Sequence, residues 1–220
     1  MRPQAVTFDI GGIIYSDDVF KRSIQGALIE MVGTIDSEKF ERIYIDHLKS
    51  QSGSLRSKLC TAFLGSLEKK DELMAKATER WLFTESDLYL DAKSCMEEIR
   101  ESGAKIGIVA NQARTSLDAL KRDGIATLVD FFGISAIVGI EKPDPRIFEL
   151  ALKELGAAPE RTVHIGNRLD TDVLPAQGLG MRTAWILRGE ANPSPSDADL
   201  KVPDIALSSL NGVPEAIAAL

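Results

Sequence analysis

The chain has 220 residues, 44% hydrophobic and 27% charged, with a formal net charge of −7. That size and balance suit one well-buried core plus a small accessory unit. The negative charge argues against a nucleic-acid partner, which a basic face would mark, and no stretch approaches the roughly 18 apolar residues of a membrane span.

Residues 4–10 are short, apolar and closed by Gly11-Gly12, the pattern of a buried strand. From 18 to 83 only helical patterns follow. The first covers 19–32, with Phe20, Ile24, Ala27, Leu28 and Met31 on one face. A second starts at Asp36 and Ser37 and carries Phe40, Ile43, Tyr44, His47 and Leu48. After a polar break at 50–54 come helices at 55–64 and 67–83. Strands and helices then alternate: helix 91–102 ending at Gly103, strand 105–110, helix 115–122, strand 134–138, helix 145–155 ending at Gly156, strand 162–165, short helix 172–177 and strand 182–187. Residues 190–199 read as a loop, 205–207 as an edge strand and 213–220 as a closing helix.

Alternation of this kind implies a parallel sheet with helices on both faces. A helical block inserted straight after the first strand implies a lobe over the strand ends. The expected architecture is α/β: a Rossmann-like, three-layer core from residues 1–15 and 84–220, with an all-helical cap at 16–83. Cys60 and Cys95 have no metal-ligand spacing and read as free thiols of a reducing, cytoplasmic compartment. Asp9 interrupts the first apolar run, so that run does not read as a secretory leader.

Asp9 ends the first strand, where open α/β sheets bind ligands, and a carboxylate there can act as a nucleophile. Farther on come Val109-Ala110-Asn111, then Glu141-Lys142-Pro143-Asp144-Pro145 with Phe148, then His164-Ile165-Gly166-Asn167 with Asp172 beyond. These elements in this order resemble the haloacid dehalogenase superfamily over residues 4–187. The resemblance implies a hydrolase that forms an aspartyl-phosphate on Asp9, with Lys142 offsetting the crowded negative charge. It implies Mg²⁺ held by Asp9, the Gly11 carbonyl, Asn167 and Asp172, and a substrate phosphoryl group held near Gly12, Ala110 and Asn111. The expected substrate is a small phosphorylated metabolite.

Three positions depart from the family pattern. Gly11 stands where phosphatases of this kind carry a second Asp that protonates the leaving oxygen, work typically worth about 10²–10⁴ in rate. Ala110 replaces a Ser or Thr whose hydroxyl would meet the phosphoryl group, a loss of about 1.5–3 kcal/mol for a bond to a charged group. Asn167 replaces an acid, keeping an oxygen but bringing no charge. The alternatives are a metal-independent 2-haloacid dehalogenase, which would need a Ser at 110 and an Arg near the cap entrance, and an impaired scaffold that binds a phosphorylated ligand or a protein. Asp9 and Lys142 have no evident use in an inert scaffold, which favours the phosphatase. His164 and His47 read as satisfied imidazoles. Arg56 and Lys58 read as a solvated cap face, and Trp81, Phe83 and Tyr89 as packing where cap rejoins core.

Overall fold

The protein is described by a computed structural model covering residues 2–220. Six strands, β1 (Ala5–Phe8), β2 (Lys105–Ala110), β3 (Phe131–Ile134), β4 (Thr162–Gly166), β5 (Arg182–Ile186) and β6 (Ile205–Leu207), form one sheet in the order β3-β2-β1-β4-β5-β6. Every neighbouring pair is parallel. β1 has β2 on one side and β4 on the other, with Phe8 opposite both Ile108 and Ile165. The order reverses at this point, which opens a crevice beyond the carboxyl ends of β1 and β4. Asp9 and Asn167 each follow one of these two strands.

The period-two alternation of β2 sorts its side chains between two apolar layers. Ile106, Ile108 and Ala110 pack with Met96 and Ile99 of α5 (Leu90–Glu101) and Leu120 of α6 (Thr115–Arg122). Val109 packs on the opposite face with Phe148, Ala151 and Leu152 of α8 (Arg146–Leu155). Helices therefore cover both faces, as the alternating pattern requires.

The helices after β1 are α1 (Asp18–Val32), α2 (Ser37–Ser50), α3 (Leu55–Leu59) and α4 (Lys70–Arg80). Asp36 caps α2 by accepting from the Lys39 N–H at 2.9 Å. These helices enclose an apolar cluster of their own, including Ile24, Leu28, Phe40, Leu59 and Leu73, distinct from the clusters on the sheet. Among the described residues no helix is long and apolar enough to cross a membrane.

Three expectations need correction. Residues 134–138 are not a strand: the strand is β3, and 135–138 form a single helical turn, α7 (Ser135–Val138), closed by Gly139 at φ 73°. β3 pairs with β2 only as far as Ala110 opposite Ile134. Beyond that no ladder partner remains, and an apolar run without clear period takes whichever form its surroundings allow. The helix expected over 67–83 is shorter, with a 3₁₀ turn at Leu67–Lys69 before α4 and a break at Trp81. The helix expected from 172 begins earlier, as a π-helical turn over Leu169–Val173, because the Asp172 and Val173 N–H groups both donate to the Arg168 carbonyl, at 3.1 and 3.2 Å.

Phe40 is fully buried in the cluster of the helical lobe. Phe40→Ala should lower the unfolding free energy by about 3–5 kcal/mol, the range for truncating a buried aromatic, measured by chemical denaturation. A loss under 1 kcal/mol would show that the lobe has no tightly packed core.

Candidate active site

Asp9 leaves β1 with its N–H donated to the Ile165 carbonyl at 2.9 Å. Its Oδ1 accepts from the Ile10 N–H at 2.8 Å and lies 3.0 Å from Lys142 Nζ. Among the described residues no hydrogen bond claims Oδ2. The Lys142 ammonium also donates to Asp172 Oδ1 at 2.5 Å. Asn111 holds Lys142 by its backbone: the Asn111 amide donates to the Lys142 carbonyl at 2.8 Å, and the Lys142 N–H donates back to Asn111 Oδ1 at 2.7 Å.

Asp172 is fully buried. Its Oδ1 also meets His164 Nε2 at 3.2 Å, and its Oδ2 accepts from the Asn167 and Arg168 N–H groups at 3.2 and 3.0 Å. Gly166 makes room for it, since a Cβ there would fall 2.3 Å from Asp172 Cγ. His164 Nδ1 lies 2.9 Å from the Thr7 hydroxyl, so both ring nitrogens are satisfied.

These surroundings drive the two carboxylates apart. Burial, helped by the nearby Asp172 charge and opposed by Lys142, raises Asp9 from its ordinary 3.8 to about 6. Burial also disfavours the Asp172 charge, but Lys142 and His164 outweigh it and hold that carboxyl well below the usual range. Lys142 loses solvation on burial, yet its two carboxylate partners keep it protonated above its ordinary value. Burial pushes His164 down, so it stays neutral.

The turn after Asp9 is fixed by its own backbone, with the Ile14 and Tyr15 N–H groups both donating to the Ile10 carbonyl at 2.8 and 3.0 Å. Arg188 clamps it from outside, donating to the Gly12 and Ile13 carbonyls at 2.8 and 2.6 Å while paired with Asp91 and stacked on Tyr89. Gly12 has φ +67°, and a Cβ on it would lie 1.9 Å from Asn167 Nδ2. That nitrogen donates to Asp17 Oδ2 at 2.8 Å and to the Arg188 carbonyl at 3.2 Å. Burial, with Glu190 and Asp9 adding like charge, raises the Asp17 carboxyl well above its ordinary range.

A cavity of about 1260 Å³ lies over this floor, reached by Asp9, Lys142 and Asn111 from the core and by Phe20, Arg56 and Trp81 from the helical side. Asp9, Lys142 and Asp172 thus converge as the sequence suggests, but four expected residues have different surroundings. Asp172 is enclosed by four donors, which takes it out of direct reach of an ion in the cavity. The Asn111 amide is spent on Lys142, which leaves its backbone N–H for an incoming oxygen. Ala110 is fully buried in the sheet's apolar layer. Gly12 is packed against Asn167 and Asp17. Arg56 lines the cavity instead of a solvated face, 3.5 Å from Glu141.

Of the oxygens the sequence pattern assigns to a hard cation, Asp9 Oδ2, the Gly11 carbonyl and the Asn167 amide oxygen remain. They suit Mg²⁺, which binds through one or two carboxylates and keeps several waters. The fit is a weak one, because among the described residues no group of three or more His, Cys, Asp or Glu is arranged to hold a metal.

Sequence reasoning missed Asp17, Arg188, Arg168 and Glu190. Asp17 opens a helix and looks there like an ordinary cap. Arg168 donates to His47 Nε2 of α2 at 3.0 Å and approaches Glu190 at 3.7 Å. Nothing in its spacing reveals this, because the partner lies 121 residues away.

The sequence model of the haloacid dehalogenase-like hydrolases matches residues 3–180. Glyceraldehyde 3-phosphate phosphatase from Methanopyrus kandleri is 37% identical over 120 residues, covering 54% of this chain and 52% of that protein. Phosphoserine phosphatase from Thermus thermophilus is 34% identical over 120 residues, covering 54% and 48%. The matched stretch is thus about half the length of these curated relatives. Among solved structures, a HAD phosphatase from Thermococcus onnurineus superposes with a TM-score of 0.65 at 24% identity, covering 98% of this chain and 97% of the other. β-Phosphoglucomutase from Clostridium difficile superposes with a TM-score of 0.72 at 17% identity, covering 100% and 98%. At those identities the structural likeness establishes the fold alone.

The raised Asp9 carboxyl has a consequence for stability. Because the folded form holds its proton to higher pH than the unfolded chain, Asp9 favours folding below pH 3.8 and loses that contribution as pH rises through about 6. Asp9→Asn should therefore be more stable than the unaltered protein at pH 8, by an amount on the order of 1–3 kcal/mol, with the difference vanishing near pH 4. Thermal unfolding with a chelator present measures this, and a less stable variant at pH 8 would contradict the assignment.

Proposed function

The chain belongs to the haloacid dehalogenase-like hydrolase family, and within it we propose a phosphomonoester phosphatase acting on a small phosphorylated metabolite. The observation that carries this reading is Asp9 Oδ1 held 3.0 Å from the buried Lys142 ammonium on the floor of the cavity. Asp9 attacks phosphorus, and splitting hydrolysis into two displacements lowers each barrier. Lys142 offsets the charge that collects as a phosphoryl dianion meets a carboxylate. The Asn111 N–H supplies a donor to an equatorial oxygen. The relatives named as phosphatases of glyceraldehyde 3-phosphate and phosphoserine support a small phosphate ester over a haloacid.

Mg²⁺ would be held by Asp9, the Gly11 carbonyl and Asn167, where it would neutralise phosphoryl charge. With a single carboxylate in that set its affinity should be low. Ala110 supplies no hydroxyl, so the oxyanion is held by fewer donors than the family pattern provides. Residues 16–83 act as a cap in this reading, closed on the core where Gln51 accepts from the Leu169 N–H at 2.9 Å and donates to the Glu190 carbonyl at 2.9 Å. Buried free thiols at Cys60 and Cys95 suit a reducing, cytoplasmic setting.

A panel of phosphorylated metabolites including acetyl phosphate, with and without Mg²⁺, tests the proposal against Asp9→Asn as the blank. Turnover should require Asp9, rise with millimolar Mg²⁺, and pass through phosphate bound covalently to Asp9. Equal phosphate release by the protein and the blank would refute catalysis.

A further inference from the structure

We propose that the cavity holds a second anion subsite, formed by Arg56 and Lys70 of the helical lobe with Arg114 of the core, and that the substrate is a phosphate ester carrying another anionic group. This rests on the phosphatase reading above for the end that meets Asp9, and adds what the other end must be.

The first observation is how charges pair around the cavity. On the floor Lys142 lies 3.0 Å from Asp9. Arg168 answers Asp170 at 2.9 Å and Glu190 at 3.7 Å, and the Asp17 carboxylate accepts from Asn167 Nδ2 and the Glu190 N–H. Arg56, Lys70 and Arg114 line the same cavity without such partners. Arg56 comes no nearer than 3.5 Å to Glu141, whose side chain is 59% exposed. A pair so open to water contributes little, and an incoming anion can take the place of Glu141. Lys70 and Arg114 form no ion pair among the described residues. Three cations therefore face one loosely held acid, and an excess of one sign along a cleft draws in ligands of the other.

The second observation is placement. Arg56 on α3 and Lys70 at the start of α4 reach the cavity from the helical side, while Arg114 immediately precedes α6 on the core. Lys58, two residues from Arg56, does not join them. Its ammonium donates to Ser50 Oγ at 3.2 Å and to the Ser52 carbonyl at 3.4 Å. The fold thus sorts neighbouring basic side chains into one that faces the cavity and one that does not.

The cavity also has the room. Its volume of about 1260 Å³ exceeds the roughly 300–1,000 Å³ typical of small-ligand pockets. A phosphoryl group on the floor leaves space for a carbon skeleton and a second charged group. Phe20, Met74 and Trp81 give that skeleton an apolar wall, with the Phe20 and Trp81 rings packed at 4.6 Å. A guanidinium offers paired donors that match either a carboxylate or a phosphate, and an ammonium adds a point charge. An ester with a neutral far end would leave all three cations unanswered.

Binding to Asp9→Asn tests this without turnover. Three open-chain six-carbon esters serve as probes: sorbitol 6-phosphate with a neutral far end, 6-phosphogluconate with a carboxylate, and sorbitol 1,6-bisphosphate with a phosphate. Calorimetry should give a Kd about tenfold or more lower for at least one anionic probe than for the neutral one, the range for hydrogen bonds to charged groups. Whichever gains more identifies the anion as carboxylate or phosphate. The ratio should shrink in about 1 M salt. In the Asp9→Asn background Arg56→Gln or Lys70→Gln should lower it by about threefold or more, Arg56→Lys should regain part of it, and Lys58→Gln should leave it unchanged. The proposal is overturned if the three probes bind alike. It is equally overturned if Arg56→Gln weakens all three by the same factor, the sign of lost packing, or if Lys58→Gln lowers the ratio as much as Arg56→Gln does. Asp9→Asn as active as the unaltered protein would remove the phosphatase reading, and the binding ratios would still decide whether the subsite exists.

Discussion

A single ammonium, Lys142 Nζ, sits between two buried carboxylates, and the floor of the site depends on that sharing. An isolated charge this deep would cost several kcal/mol in lost hydration. Three charges with net −1 cost less, provided each oxygen has a donor, and Asp172 reaches that state through four of them. Asp9 does not, since its Oδ2 has no donor among the described residues. The ammonium therefore stabilises one carboxylate fully and the other in part, which is why burial prevails at Asp9 and is outweighed at Asp172. The better-held carboxylate braces Lys142, and the less-held one keeps an oxygen without a hydrogen bond among the described residues.

The same logic orders the rim of the site. Arg188 spends its guanidinium on two carbonyls of the glycine turn and on Asp91, so the loop that carries Gly11 and Gly12 is tied to the start of α5. Asn167 lies between that loop and Asp17. An acid at 167 would set two carboxylates side by side there, while an amide can donate to Asp17 and still leave its oxygen. Asn167 therefore makes sense together with Asp17, instead of as a separate loss.

The architecture was legible wherever the pattern was long and periodic. α5 and α8 announce their buried faces at three-four spacing, and β1 and β2 end in the glycine and polar turns expected of strands under a crevice. The meeting of Asp9, Lys142 and Asp172 was legible through motif order. What stayed hidden depended on partners distant in sequence. The 135–138 stretch is apolar either way, and only the length of β2 decides that it leaves the sheet. Asp17 looks like a helix cap, and nothing local shows that it turns inward. Arg56 has an ordinary surface composition, and only the placement of α3 brings it to the cavity wall.

The contacts between the helical lobe and the core beside the cavity are polar. Arg168 to His47, Gln51 to Leu169 and to the Glu190 carbonyl, and Tyr44 to Glu190 at 3.3 Å join the lobe to the core beside the cavity. The neutral bonds of Gln51 are each worth on the order of 1 kcal/mol net, and those that involve Arg168 or the Glu190 side chain about 1.5–3 kcal/mol. Burial and the Arg168 charge push His47 down to about 4, so it accepts from Arg168 as a neutral ring throughout the physiological range. The lobe keeps its own apolar cluster whether or not these bonds are made. The seam itself is polar, while the apolar side chains on its two sides belong to separate clusters.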